Sequence, residues 1–315
     1  MTLHKVGIIH NPIAGRPATN PLVGSVASGL MALGHEVTIW VTEGRGHASE
    51  LAQLAVDSGY ELVIAAGGDG TINEVLQALS GTNVILGVIP IGTVNLWAAE
   101  AGLPARADLL MRLFHEQPVR RVDVGVAGDR RFLLMASVGL DAAVVQAVAT
   151  QLKRRIGRWA YAVSLSGLAP AYRGGDVRLS LDGKVLHVRP LMMVIGNTRR
   201  YAGRLQGTPH AIADDGLLDL VALTGGRVWN GLPQVAAVMT GIPALRRSML
   251  QRRARSIEID AEVPLPIQVD GDFYGVTPVR ISVLPGALRV IVGPGATPGL
   301  FLVEHAEFEA RKLRA

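Results

Sequence analysis

Up to about Pro90 the chain alternates short, wholly apolar runs with amphipathic stretches. Val6–His10 (VGIIH), Glu36–Trp40 (EVTIW), Leu62–Gly67 (LVIAAG) and Val84–Pro90 (VILGVIP) read as strands. The segments after Asn20, from His47 to Ser58 and from Thr71 to Leu79 read as helices between them. Strands that are apolar on both faces and joined by helices belong to a parallel sheet covered on both sides. The pattern predicts a doubly wound α/β domain over residues 1–122. After Val122 the period changes. FLLMASVG, DVRLSLDG, HVRPLMMVIGN, LLDLVAL and, beyond a helical insert, SIEIDAE, PIQVDGD, VRISVLP and LRVIVG alternate apolar with polar positions between DG, GG and PG turns. Period-two alternation with such punctuation reads as antiparallel strands, so residues 123–299 are expected to form a β-rich sandwich or barrel. The final stretch, residues 300–315, reads as a helix folding back onto the first domain. No low-complexity linker separates the halves, and the active site is expected in a cleft between them.

Composition narrows the picture. Of 315 residues 49% are hydrophobic but only 4% aromatic, so the cores must be built from Ala, Val, Leu and Ile. No apolar run reaches the about 18 residues that suggest a membrane span, and the residues after Met1 lead into a strand rather than a signal-peptide cleavage region, so the expectation is a cytoplasmic protein. The absence of cysteine excludes disulfides, thiolate metal sites and cysteine nucleophiles. A formal charge of +5, with basic clusters at Lys153–Arg158 and at Arg246, Arg247, Arg252, Arg253 and Arg255, suits an anionic partner. Nucleic acid is the weaker choice, because zinc-finger spacing, an aromatic–basic RNA signature and a basic tail are all missing.

The most informative segment is Gly67-Gly68-Asp69-Gly70-Thr71, which follows one apolar strand and opens the next helix. Helix N-termini expose amides without intrahelical acceptors, and glycines let backbone close on a phosphate. Asp69 cannot itself receive phosphate, so its role must run through a magnesium ion or a hydrogen-bond network. Neither the Walker loop nor a GxGxxG after a strand is present.

This GGDGT, followed by Ile72-Asn73-Glu74, with Asn11-Pro12 and Ala14-Gly15 after the first strand and Pro90-Ile91-Gly92-Thr93-Val94-Asn95 after the fourth, resembles the diacylglycerol kinase catalytic-domain family, relatives of sphingosine and ceramide kinases. Val122–Gly125, the SVGLDA of Ser137–Ala142, Gly196-Asn197, Pro209–Asp219 and the QVDGD ending at Asp272 continue the resemblance in order. It implies an ATP- and Mg²⁺-dependent lipid kinase acting on a hydroxyl of a diacylglycerol-like or sphingoid-like lipid. It also implies a nucleotide site of Asn11, Thr42, Gly67, Gly68, Asp69, Gly70, Thr71, Gly92, Thr93 and Asn95. Glu74, in the helix's first turn, is added to that set, with capping as its competing role. Asp272 stands where the family usually has Glu, the general base, and is one methylene shorter; Asp123 would sit in the cleft as its partner or as a lipid head-group contact. Asp215, with the carbonyls of Ile212 and Leu217, matches a structural Mg²⁺ position of some bacterial members. Leu96 stands where many members carry Asp. The resemblance further implies a cytoplasmic enzyme associating peripherally with an anionic membrane, with a homodimer among the options. GGDGT is shared with NAD kinases and phosphofructokinases, which leaves another small-molecule kinase, or a silent lipid-binding relative, as alternatives.

Overall fold

The computed structural model describes residues 4–15, 20–147, 172–201, 203, 205–225, 234 and 249–302. The expected helix at 300–315, the basic cluster Lys153–Arg158, Arg246 and Arg247 and the insert before Met249 lie wholly or mainly outside them. The chain divides into two compact units. The first takes the chain to Val124, then Ile212–Gly216 and the chain from Leu284; the second takes Gly125–Ala211 and Leu217–Val283. The units are thus not consecutive in sequence.

The first unit runs β1 (Lys5–His10), α1 (Asn20–Ala32), β2 (Glu36–Val41), α2 (His47–Asp57), β3 (Leu62–Gly67), α3 (Asp69–Leu79), β4 (Ile85–Pro90), α4 (Leu96–Glu100), α5 (Ala107–Glu116) and the start of β5 (Val119–Ala127). The first four strands pair in parallel in the order β2-β1-β3-β4, and Arg289 and Val290, returning late in the chain, pair in parallel with Ile85 and Leu86. Every residue of β3 and β4 is buried, which is why both read as unbroken apolar runs. Because β2 and β3 flank β1 on opposite sides, the strand order reverses there. Ligands of open α/β sheets bind outside the carboxyl ends of strands at such a switch point.

The second unit continues with β6 (Arg130–Phe132), β7 (Met135–Gly139), α6 (Leu140–Ala147), β8 (Val177–Leu181), β9 (Lys184–Val188), β10 (Pro190–Gly196), β11 (Arg200–Tyr201), β12 (Leu205–Gln206), β13 (Leu218–Thr224), β14 (Leu250–Ala254), β15 (Ser256–Ala261), β16 (Pro266–Val269), β17 (Asp272–Val276) and β18 (Val279–Ile291), whose later residues belong to the first unit. One layer is the antiparallel sheet β14-β13-β10-β7-β16-β17; the other is built on β9, β8, β15 and the start of β18. Alternate residues of both layers, among them Val138, Met193, Ile195, Leu220, Leu179, Ile257, Ile259 and Ile281, meet in one core. Each such aliphatic side chain contributes about 1.5–3 kcal/mol on burial, which makes this sandwich the stable frame for the turn carrying Asp270-Gly271-Asp272.

Candidate functional site

In the first unit the predicted nucleotide residues gather beyond the carboxyl ends of β1, β2, β3 and β4. Helix α3 begins at Asp69, two residues earlier than the apolar pattern suggests, because extended Gly68 is its N-cap and no side chain caps it. The first amides of α3 therefore lack intrahelical acceptors and a side-chain cap, and they carry the positive end of the helix dipole. Two close approaches require glycine here. A Cβ on Gly67 would lie 2.3 Å from the Thr71 hydroxyl, and one on Gly92 would lie 2.4 Å from the Cα of Gly68. A Cβ on Gly70 would meet nothing within 4 Å, so Gly70 borders open space.

Side chains then tie the loops together. The Asn11 amide donates to Thr71 Oγ1 at 3.1 Å across the β1/β3 switch point, while its own carbonyl oxygen accepts from Ile13 N. The Asp69 carboxylate accepts from the amides of Leu96 at 2.9 Å and Trp97 at 3.1 Å, the first residues of α4. Burial pushes the Asp69 carboxyl above its usual range, opposed by those amide bonds. Of the two roles the sequence left open for Asp69, its visible partners form the hydrogen-bond network. They also make sense of Leu96, since position 96 bonds to Asp69 through its backbone while its side chain is buried. Asn95, with φ 54°, turns the chain into α4 and donates to Gly92 O at 2.8 Å.

The other predicted site residues lie in varied surroundings. Thr71 and Thr42 are buried, Thr71 Oγ1 accepting the Asn11 amide, and Thr93 is exposed. The Glu74 carboxylate accepts Ala48 N in the first turn of the neighbouring α2 at 3.2 Å, a contact the sequence did not anticipate. Asp123 is 1% exposed, with one carboxylate oxygen accepting Gly286 N at 2.7 Å and the other Gly216 N at 2.6 Å. It clasps two returning segments, and burial raises its carboxyl above the usual range. Its neighbour Asp214 accepts Leu302 N at 2.8 Å through one oxygen, while the other is buried without a hydrogen-bond donor. Asp215 stands partly exposed in the same turn, between Ile212 and Leu217. Among the described residues no three His, Cys, Asp or Glu side chains gather as a metal site.

In the second unit the two acids of the DGD turn separate. Asp270, with φ 47°, points inward and takes the amides of Leu133, Leu134 and Met135 at 2.9–3.1 Å. The same segment is held from its carbonyl side by buried Asn197, through Leu133 O and Leu134 O, which gives the Gly196-Asn197 motif its role. Asp272 is a third exposed and pairs with Arg130 at 3.3 Å. Below the turn, Gln268 joins Gly271 N to Ser137 and Asp141, and Asp141 also receives Tyr201 OH. None of Arg130, Asp141, Tyr201 or Gln268 was assigned a role from the sequence, although Ser137 and Asp141 lie in the SVGLDA block and Gln268 opens the QVDGD block.

Residues 5–127 match the diacylglycerol kinase catalytic domain, and residues 135–292 match the YegS C-terminal NAD kinase beta sandwich-like domain. The chain belongs to the diacylglycerol kinase catalytic-domain family. It is 32% identical over 288 residues to a probable YegS-like lipid kinase of Chromohalobacter salexigens, covering 90% of this chain and 92% of that one. With a diacylglycerol kinase of Staphylococcus epidermidis it shares 29% over 279 residues, 87% of each chain. A crystal structure of a diacylglycerol kinase from Bacillus anthracis shares the fold, with a TM-score of 0.78, 24% identity and coverage of 94% of this chain and 99% of that one. Family membership makes this a kinase fold in both halves. Among the described residues, no helix is long and apolar enough to cross a membrane.

Proposed function

We propose that the protein is an ATP-dependent lipid kinase that transfers the γ-phosphoryl group to a hydroxyl of a diacylglycerol-like or sphingoid-like lipid. The observation that carries this reading is the uncapped N-terminus of α3 behind Gly68 and Gly70, joined by Asn11 and the Gly92–Asn95 loop at the sheet's switch point. Such a site binds anions through backbone amides and suits a polyphosphate. The names of the relatives, a probable lipid kinase and a diacylglycerol kinase, support a lipid acceptor.

In the reaction the acceptor oxygen forms a bond to the γ-phosphorus as the bond to the bridging oxygen of ADP breaks, and the hydroxyl proton passes to the carboxylate of Asp272, which later releases it to solvent. The amides at the start of α3 and exposed Thr93 hold the phosphates. Asp69 and Asn11 keep those loops in register without touching the reacting atoms. Magnesium would supply charge neutralisation on the phosphate oxygens. A second, structural ion would be held by Asp215 and the carbonyls of Ile212 and Leu217; the buried, donorless oxygen of Asp214 in the same turn fits a hard cation that prefers oxygen. Exposed Arg252 and Arg255 would face an anionic leaflet, each basic residue adding about 1 kcal/mol.

The test is incubation with Mg²⁺ and γ-labelled ATP over mixed micelles of diacylglycerol, monoacylglycerol, sphingosine or ceramide. Label in one lipid supports the reading and names the acceptor. ATP binding without label in any lipid overturns it.

A further inference from the structure

The hairpin joining β5 to β6 ends in a two-residue loop, Gly128-Asp129, with Ala127 opposite Arg130. Gly128 has φ 60°, as the first central position of a type II′ turn requires. Glycine is needed there for a second reason, since a Cβ would lie 2.1 Å from the Tyr274 hydroxyl. That hydroxyl donates to Asp129 Oδ1 at 2.8 Å and accepts Asp129 N at 3.3 Å, so the hairpin tip is fastened to β17. Fastened in this way, β6 delivers the Arg130 guanidinium to within 3.3 Å of Asp272 Oδ2, in a pair whose side chains are 28% and 33% exposed. The backbone before Asp272 is fixed as well, by Asp270 on the amides of Leu133, Leu134 and Met135 and by Gln268 on Gly271 N.

We infer that Arg130 is a positioning residue for the transfer reaction, orienting the Asp272 carboxylate toward the acceptor hydroxyl. The inference rests on the reading of Asp272 as general base. Aspartate at this position reaches one methylene less far than the glutamate usual in the family, so its orientation matters more. A guanidinium is always charged and bonds a carboxylate in a defined plane. A carboxylate held before the acceptor arrives has fewer orientations to lose in reaching the reactive one. Every group that performs this fixing lies in the second unit.

Steady-state kinetics on the accepted lipid, with thermal melts, would compare the full-length wild type with Arg130→Ala, Arg130→Lys, Asp272→Asn and the Arg130→Ala/Asp272→Asn double variant. The expected result for Arg130→Ala is a fall in kcat of about 10–100-fold, with KM for ATP and Tm little changed. Arg130→Lys and added guanidinium ion each recover part of it, and in the Asp272→Asn background the loss of Arg130 costs nothing further. An unchanged kcat for Arg130→Ala, or an equal loss in both backgrounds, overturns the inference and leaves the base assignment standing if Asp272→Asn is inactive. Wild-type activity in Asp272→Asn overturns both. If Arg130→Ala fails to fold, Arg130→Met keeps the aliphatic stem and carries the same expectations.

Discussion

The carboxylate of Asp69 accepts the backbone N–H of Leu96 at 2.9 Å, with the amide of Trp97 close behind at 3.1 Å. One acid of the glycine loop thereby caps the helix that follows the second phosphate loop, and the two loops become one device. Asp69→Ala leaves two amides without this acceptor, each worth about 1–3 kcal/mol when stranded. The expected outcome is a lower Tm together with weaker ATP binding, measured by melts and titration calorimetry. Intact stability with lost activity would instead assign Asp69 to the chemistry.

Gly70 and Gly92 separate ligand clearance from packing. Gly70→Ala meets nothing and lies inside a helix, so its stability should hold or rise by up to about 1 kcal/mol while its affinity for ATP falls. Gly92→Ala pushes against the backbone of Gly68 and should lower both Tm and ATP affinity. Melts of the two variants beside ATP titrations check the contrast.

Asp123→Ala removes the acceptor of Gly216 N and Gly286 N in a site 1% exposed. A loss of about 2–5 kcal/mol is expected, within the range for a broken buried network. Denaturant unfolding measures it. A catalytic contact would predict the reverse pattern, near-native stability with little turnover.

Acid should act oppositely on the two units. In the second, burial raises Asp219 to about 6, against the lowering influence of Arg199; Arg253 also contacts its carboxylate at 3.2 Å. Ionisation of this acid is disfavoured by folding. Its contribution to stability is therefore present below the unfolded value near 3.8 and is lost as pH rises through about 6, an effect on the order of 2–3 kcal/mol. In the first unit, burial and the neighbouring His115 and His4 rings lower His35 below the ordinary histidine value of 6.5. That contribution is present above 6.5 and is lost as pH falls through the lower folded value. Melts across this range should show Asp219→Asn flattening the second unit's dependence and His35→Gln the first's. Unaltered profiles would contradict both assignments.

What the sequence revealed depended on range. Strands β3 and β4 were legible because burial on both faces leaves unbroken apolar runs, and the GGDGT loop because its residues are consecutive. Helix α4 has only five residues, too few for a periodic pattern, and the start of α3 was hidden because Asp69 and Gly70 are not typical helix formers. The roles within the site were harder. Asp69 and Leu96 are 27 residues apart, Asp123 and Gly216 are 93 apart, and Arg130 and Asp272 are 142 apart. A motif names such residues without saying which of them face solvent. So Asp270 and Asp272 look alike in a DGD turn, while only the fold turns the first inward onto three amides and the second outward onto arginine.

The central claim is phosphoryl transfer from ATP to a lipid hydroxyl with Asp272 as the base. It is tested most directly by measuring ATP affinity and single-turnover transfer of γ-label to lipid for the wild type and Asp272→Asn side by side. The account predicts equal affinity for ATP, with labelled lipid formed by the wild type alone. Transfer at the wild-type rate by Asp272→Asn, or no labelled lipid from either protein, would contradict it.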